Sequence, residues 1–308
     1  MIRMKGFLGL TRRNLLVFFK DKQSVVFSLL TSIIVFALYI LFLKGYLVDA
    51  VNSALEEFPS LSQLISSEDV DMFVNLIQLT GILGSAMITV PYNCLATLIR
   101  DRENKIDYDI LATPIKRSRV ILSYFVASAL SAVILTCIIF TVGIIFLSTQ
   151  GNVGMSVADV FETYGVVAFG SVSATALFMI LALSFKSSSA SGAFFGMLSA
   201  ASGFVIGAYM PVSQFSDNVQ TICNIFPASH ITIILRNKLL EGTLERFDGS
   251  LGGMDNGMFV KILKDIYSFK AHLFNSDLNV GQMTVYVLII LVICLLTQVI
   301  VYSKNYKK

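Results

Sequence analysis

Six long apolar runs contain none of the chain's 23 Lys and Arg or 20 Asp and Glu residues. They are Val25–Leu43, Phe73–Ile99, Val120–Leu147, Tyr164–Phe185, Ala190–Tyr209 and Val280–Tyr302. A helix crosses a hydrocarbon core of about 30 Å with about 20 apolar residues. Lipid offers backbone amides and carbonyls no partner, so a run that enters a bilayer must satisfy its own hydrogen bonds as a helix. These runs predict an all-α integral membrane protein with six transmembrane helices, forming a single transmembrane domain over residues 1–308. The mean hydropathy of +0.76 agrees. A net charge of +3 is too small to indicate a nucleic-acid partner.

Charge sign orients the predicted spans. Residues 1–24 carry Arg3, Lys5, Arg12, Arg13, Lys20 and Lys22 against Asp21. The connection 100–119 adds Arg100, Arg102, Lys105, Lys116, Arg117 and Arg119, and Lys186, Lys304, Lys307 and Lys308 fall on the same side. The opposite connections are acidic at 44–72 and free of bases at 148–163. The positive-inside rule places both termini in the cytoplasm, and a bacterial cytoplasmic membrane is the expected location. The basic N-terminal stretch reads as a retained anchor, because no small-residue cleavage site follows the first run. Cys94, Cys137 and Cys294 lie within runs and Cys223 stands alone, a spacing without disulfide or metal meaning.

Local patterns add detail. Phe7, Leu8, Leu10, Leu15, Leu16, Phe18 and Phe19 alternate with Arg12, Arg13, Asn14 and Lys20. That pattern predicts an amphipathic helix over 1–24 in the membrane interface, or else a simple extension of the first span. Pro91 should disturb the second span, and Asn93 two residues later either bonds a neighbouring helix or lines a pathway. In the fifth run Ser188, Gly192, Gly196 and Ala200 recur every fourth residue, as do Ser199, Gly203 and Gly207. Such faces permit close helix approach, within one bundle or between two copies. Apolar runs broken at Pro227 within 219–240 are too short to span and predict a re-entrant hairpin in the outer leaflet. Residues 242–257, rich in Gly and Asp, read as an exposed loop. Phe259, Ile262, Leu263, Ile266 and Phe269 read as a short external helix over 259–274.

Much chemistry is missing from the sequence. No phosphate-binding G-x-x-x-x-G-K-[ST] loop occurs, so ATP hydrolysis is not expected from this chain. His230 and His272 lie outside the predicted spans, and no metal-ligand cluster is expected. The spans contain no ionisable side chain of the kind that ion-coupled carriers place at membrane depth. The connection 100–119 reads RDRENKIDYDILATPIKRSR. Ile106, Ile110 and Leu111 predict a short helix, which Pro114 stops by pushing Thr113 out of helix. An apolar ridge with charged flanks fits docking into another protein's groove, or else a helix lying against the headgroups, which four acids among the six bases make less attractive.

The run from Arg102-Glu103 through Leu111-Ala112-Thr113-Pro114 to Arg117 resembles the cytoplasmic loop of ABC-2-type permeases, the membrane subunits of ATP-binding-cassette exporters. LTRRNLLVFFKDKQSVVFSLL resembles the family's connecting helix and first span. GAYMPVSQFSDNVQTICNIFPASHITIILRNKLLEG resembles the segment after its fifth span, with Gly207, Pro211, Pro227, Arg236 and Gly242 in register. Lys105-Ile106 departs from the Gly-Thr often found there. The 243–279 segment is longer than in polysaccharide-exporting members.

The resemblance implies a multi-pass permease of an exporter that moves a drug, peptide or lipid-like amphiphile, with polysaccharide or glycolipid export as the alternative. An ion-gradient carrier or a membrane-embedded enzyme fits the residues less well. Expected partners are a separate ABC ATPase subunit holding ATP and Mg, a second copy or related permease, and the bilayer. Glu103, Asp107, Tyr108, Asp109, Ile110 and Leu111 are expected at the ATPase contact. Met87, Asn93, Gly192, Phe194, Phe195, Gly196, Met197, Gly203 and Gly207 are expected along the path, and Tyr209, Met210 and Pro227 at an outer gate.

Overall fold

The structure, a computed structural model, describes residues 2–58, 64–274 and 276–305. Helix α1 (Ile2–Lys20) leads through Asp21 into α2 (Lys22–Leu38), a π-helical turn at Tyr39–Leu43, and α3 (Lys44–Glu56). Next come α4 (Ser67–Cys94), α5 (Ala96–Glu103), α6 (Ile106–Ala112), α7 (Arg117–Gln150), α8 (Val157–Ala182) and α9 (Ser188–Val205). Short helices α10 (Asp217–Ile225), α11 (Pro227–Leu239), α12 (Glu241–Leu251) and α13 (Met258–Ile266) follow. The hairpin β1 (Ala271–Leu273) and β2 (Ser276–Leu278) then precedes α14 (Val280–Asn305).

Among the described residues, Lys22–Glu56, Ser67–Glu103, Arg117–Gln150, Val157–Ala182 and Val280–Lys304 are long and apolar enough to cross a membrane. The fifth apolar run, Ala190–Tyr209, is not among them. Its helix, α9, has 18 residues interspersed with Ser and Gly, a length of about 27 Å at 1.5 Å per residue. Gly207 at φ +70 then turns the chain away, with the Ala208 amide bonded back to the Gly203 carbonyl at 2.8 Å.

Helix α4 is the hub of the bundle. Its most apolar stretch is 94% buried, against 17% for α14, because α2, α7, α8, α9 and α11 all pack around it. Missing side chains make that crowding possible. A Cβ on Gly84 would lie 2.1 Å from the Thr232 hydroxyl of α11, and one on Gly170 of α8 would lie 2.6 Å from the Met87 sulfur. The outer faces of α2 (Val26, Ile33), α7 (Val142, Ile145) and α14 (Ile289, Leu296) leave apolar side chains uncovered. A lipid solvent accepts such a face, whereas between helices packing and hydrogen bonds must do the work. Ser85–Ser202 at 2.8 Å, Thr136–Ser171 at 2.7 Å and Tyr39–Asn75 at 2.5 Å are such bonds.

Pro91 is accommodated inside α4, and the helix breaks only at Leu95. The acidic connection from residue 44 is not a loop at its start, since α3 continues the first span to Glu56. Leu47, Val51, Ala54 and Leu55 repeat at helical spacing and are buried. The expected exposed loop at 242–257 is likewise corrected. Leu244, Phe247 and Leu251, three and four residues apart, form the buried stripe of α12. The close approach of Gly242 to the Gly154 carbonyl, where a Cβ would come within 2.0 Å, seats α12 against the loop between α7 and α8. The expected helix over 259–274 stops at Ile266 and gives way to the hairpin. Residues 219–240 form two helices joined at Phe226-Pro227, and α11 is deeply buried.

Arg236 of α11 secures this end of the molecule. Its side chain is fully buried, and Nη1 donates to the carbonyls of Tyr267 and Ser268, the latter at 3.0 Å. Asn237 donates to the Phe269 carbonyl at 2.9 Å, and the Tyr267 hydroxyl donates to the Leu47 carbonyl at 2.7 Å. The turn after α13 is thereby fastened to α11 and α3.

Three stability outcomes are expected. Gly84→Ala should overpack the α4–α11 contact and cost about 2 kcal/mol. Gly192→Ala on α9, where a Cβ meets nothing within 4 Å, should not lower the midpoint of thermal unfolding in detergent. Arg236→Ala should leave two buried carbonyls without donors and cost about 3 kcal/mol. Limited proteolysis should then cut first within 258–274.

Candidate functional site

Helix α5 carries four charged residues in succession, Arg100, Asp101, Arg102 and Glu103. Successive residues of a helix point about 100° apart, so the four side chains reach different neighbours. Arg100 pairs with Asp21 and donates to the Ser24 hydroxyl at 2.9 Å. Asp101, only 4% exposed, accepts both guanidinium nitrogens of Arg13 on α1 and the Tyr124 hydroxyl of α7 at 2.5 Å. Arg102 donates to the carbonyls of Leu183 at 2.6 Å and Phe185 at 3.2 Å, just past α8. Glu103 accepts the amide of Ser188 at 3.2 Å and its hydroxyl, at the start of α9.

The signs match the helix ends. A cation meets the carbonyl end of α8 and an anion the amide end of α9, the arrangement the helix dipole favours. Asp21 also caps α2, accepting from the Ser24 amide at 3.2 Å and hydroxyl at 2.8 Å. Partial burial works to raise the pKa of Asp21, but the bonds from Ser24 and Arg100 outweigh it and hold the carboxyl at about 2. One short helix thus ties together α1, α2, α7, α8 and α9.

Helix α6 follows through Lys105, which adopts a left-handed conformation at φ +60. The structure turns α6 differently from expectation. Ile110 is buried and Leu111 half-buried against the chain's own core, and Asp107 is buried with them. Residues three apart share a helix face, so burying Ile110 takes Asp107 inward. The ridge therefore divides: Ile110 and Leu111 serve this fold and Ile106 stays exposed, and Asp107 and Ile110 are not on an accessible contact surface. Tyr108, 64% exposed, and Asp109 point outward, while Glu103 is exposed but engaged with Ser188.

Beside α5 lies a cleft of about 310 Å³ between the first turn of α2, the last turn of α4 and the first turns of α9. Asp21 and Arg100 line it together with Tyr92, Phe195 and Phe27. Three residues expected on the path, Asn93, Gly192 and Phe195, meet here. Asn93 also bonds α2, donating to the Ser24 carbonyl and the Ser28 hydroxyl, each at 2.7 Å. Phe194 packs on Tyr92 and Phe185 with ring centres 5.4 Å apart in both pairs.

The remaining path residues do not converge on the cleft within one chain. Met87 is fully buried, and Gly170 has no room for a Cβ against its sulfur. Met197 and Gly196 lie on the outward face of α9. Gly203 lies under the Tyr209 ring, with space for no more than hydrogen, and Gly207 is the turn beyond the helix rather than part of its sliding face. Of the outer-gate residues, Tyr209 folds back on Gly203 and Phe204, Met210 is exposed, and Pro227 is buried at the first position of α11. The contributions of Arg13, Asp21, Arg100 and Asp101 were not foreseen. Their signal was an alternation of charge sign across four successive residues facing a basic N-terminal helix.

The family model for ABC-2 family transporter proteins matches residues 56–303, from the end of α3 nearly to the end of α14. No curated protein and no solved structure gives a match to the chain. The matched region contains α4, the α5–α6 connection and the segment that seats Arg236, whereas Arg13, Asp21 and Ser24, which α5 engages, lie before it. With several helices able to cross a membrane and a family match over most of its length, the chain is a multi-pass membrane protein belonging to the ABC-2 family of transporters.

Proposed function

We propose that this chain is the membrane-spanning permease subunit of an ATP-driven exporter that carries an amphiphilic substrate out of the cytoplasm or inner leaflet. ATP and Mg would be held and hydrolysed by a separate ABC ATPase subunit. The basic end of the bundle, with both termini, faces the cytoplasm in this reading, and the exposed side of α6 at Tyr108 and Asp109 receives the ATPase. A second copy or a related permease completes the transporter. The small-residue face of α9 beyond the cleft, at Gly196, where a Cβ meets nothing within 4 Å, and at exposed Ala200, suits its close approach.

The observation that carries the reading is the four-way anchoring of α5. A push on α6 passes through Lys105 to a helix whose consecutive charges hold the ends of α8 and α9, the cap of α2, and α1 with α7. Rigid elements joined by charge-assisted bonds transmit displacement where flexible loops absorb it. The apolar interior of the spans supplies no gradient-coupling ionisable group, so the energy has to enter from outside this chain.

The test is co-purification from native membranes followed by ATPase and transport assays in proteoliposomes. Tyr108→Ala combined with Asp109→Lys should lose the bound ATPase. Asp101→Asn should retain it while transport per ATP falls about ten- to a hundredfold, the equivalent of losing about 1.5–3 kcal/mol of charge-assisted bonding. Unchanged transport in both variants, or uptake driven by an ion gradient without ATP, would sink the reading.

A further inference from the structure

In the cleft beside α5, an aromatic wall and an ion pair face the same space. Tyr92 is stacked on Phe195 with planes 13° apart and centres 6.0 Å apart, and Phe27, 44% exposed, stands at the mouth. Tyr92 is itself buried, its hydroxyl bonded to Ser191 at 2.9 Å, so it backs the wall, and half-buried Phe195 and exposed Phe27 supply the aromatic surface open to a ligand. In the same lining, Asp21 and Arg100 are bonded to each other, yet their side chains keep 24% and 36% of their exposure. A guanidinium has five N–H donors and a carboxylate about four lone-pair sites. The bonds to Asp21 and Ser24 use only some of Arg100's donors.

We infer that this cleft binds the head of a zwitterionic amphiphile, whose positive and negative groups pair with Asp21 and Arg100. The reason is the cancellation of charge. A head with a single charge meets both members of the pair at similar range, and its attraction to one is offset by repulsion from the other. A head carrying both signs closes an alternating ring and gains from each contact. The cationic part can also lie against the aromatic faces. The cleft volume of about 310 Å³ is at the lower end of ligand sites, about 300–1,000 Å³, and suits a compact head. Thr31 and Ser199 join α2 to α9 at 2.6 Å beyond the cleft. The tail therefore leaves by the open side, along the exposed Leu30 and Met197. The inference rests on the exporter reading only for what becomes of the bound molecule.

The chain contains no Trp, so Phe27→Trp supplies a single fluorophore at the mouth. The purified variant, in nanodiscs of phosphatidylglycerol and without any ATPase, is titrated with dodecylphosphocholine, dodecyltrimethylammonium, dodecyl sulfate and dodecyl maltoside below their micellar concentrations. Dodecylphosphocholine should give a saturable fluorescence change at a concentration at least tenfold lower than the other three. Gly192→Leu, which places bulk in an opening without backbone strain, should abolish it. Ala193→Leu, on the adjacent exposed position outside the cleft, should not. Asp21→Asn leaves Arg100 unopposed and should shift the preference to dodecyl sulfate. Equal responses to all four heads, or no change of preference in Asp21→Asn, would overturn the inference, since both describe simple partition into the bilayer. The assay contains no ATP, so its failure leaves the exporter reading standing. Loss of ATPase coupling would likewise leave this binding intact.

Discussion

A helix can sit at the centre of five others only if their backbones approach it closely, and at α4 that approach depends on hydrogen atoms in place of side chains. Gly84 lets α11 lie against α4 through Thr232, and Gly170 makes room for Met87. In a lipid solvent the burial of one apolar surface against another is nearly neutral, so contact density and buried hydrogen bonds decide which helices associate. The serine and threonine hydroxyls that cross between helices, such as Ser85 with Ser202, fit within this close spacing. The remaining geometry follows, because α5 is the continuation of α4 and inherits its position.

That inheritance explains why the charged run 100–103 reaches so many partners. Placed at the end of the most enclosed helix, α5 is surrounded by its neighbours: Arg102 and Glu103 meet helix ends of matching polarity, and Arg100 and Asp101 meet the opposite charges of Asp21 and Arg13. The family match covers this junction, and the further elements it draws on, α1 and the cap of α2, lie before the matched residues. The same junction borders the cleft, so the helix proposed above to receive motion from the ATPase also forms a wall of the cavity. Any rotation of α5 that shifts Arg100 also alters the relation of the Asp21 pair to Tyr92 and Phe195.

The sequence made the apolar segments, the basic end and the stop at Thr113-Pro114 legible, because long runs, charge asymmetry and proline act locally. It misled where a pattern had two physical solutions. Ile106, Ile110 and Leu111 formed an apolar ridge, and only tertiary packing decides whether such a ridge meets a partner or the chain itself. Here Ile110 turns inward and carries Asp107 with it. Gly-rich 242–257 read as loop because glycine outweighed the spacing of Leu244, Phe247 and Leu251. Close packing was expected at Gly192 and Gly196 of α9 but within the chain occurs at Gly84 and Gly170, since periodicity marks a small-residue face without showing what lies opposite. Asn93 and Phe195, expected along a path, line the cleft, whereas its charged border comes from Asp21 and Arg100, remote from each other in sequence.

The π-helical turn at Tyr39–Leu43 has a consequence for how the first span divides its labour. A wider turn takes up one additional residue, which rotates everything after it by about 100° relative to an uninterrupted helix. Below the turn, α2 leaves Val26 and Ile33 uncovered, and beyond it α3 directs Leu47, Val51 and Leu55 into the cluster around Phe73. A single rod thus presents its oily flank outward in one half and inward in the other. The inserted residue acts as a phase shifter, and the hydroxyl of Tyr39 on Asn75 holds the shift in place.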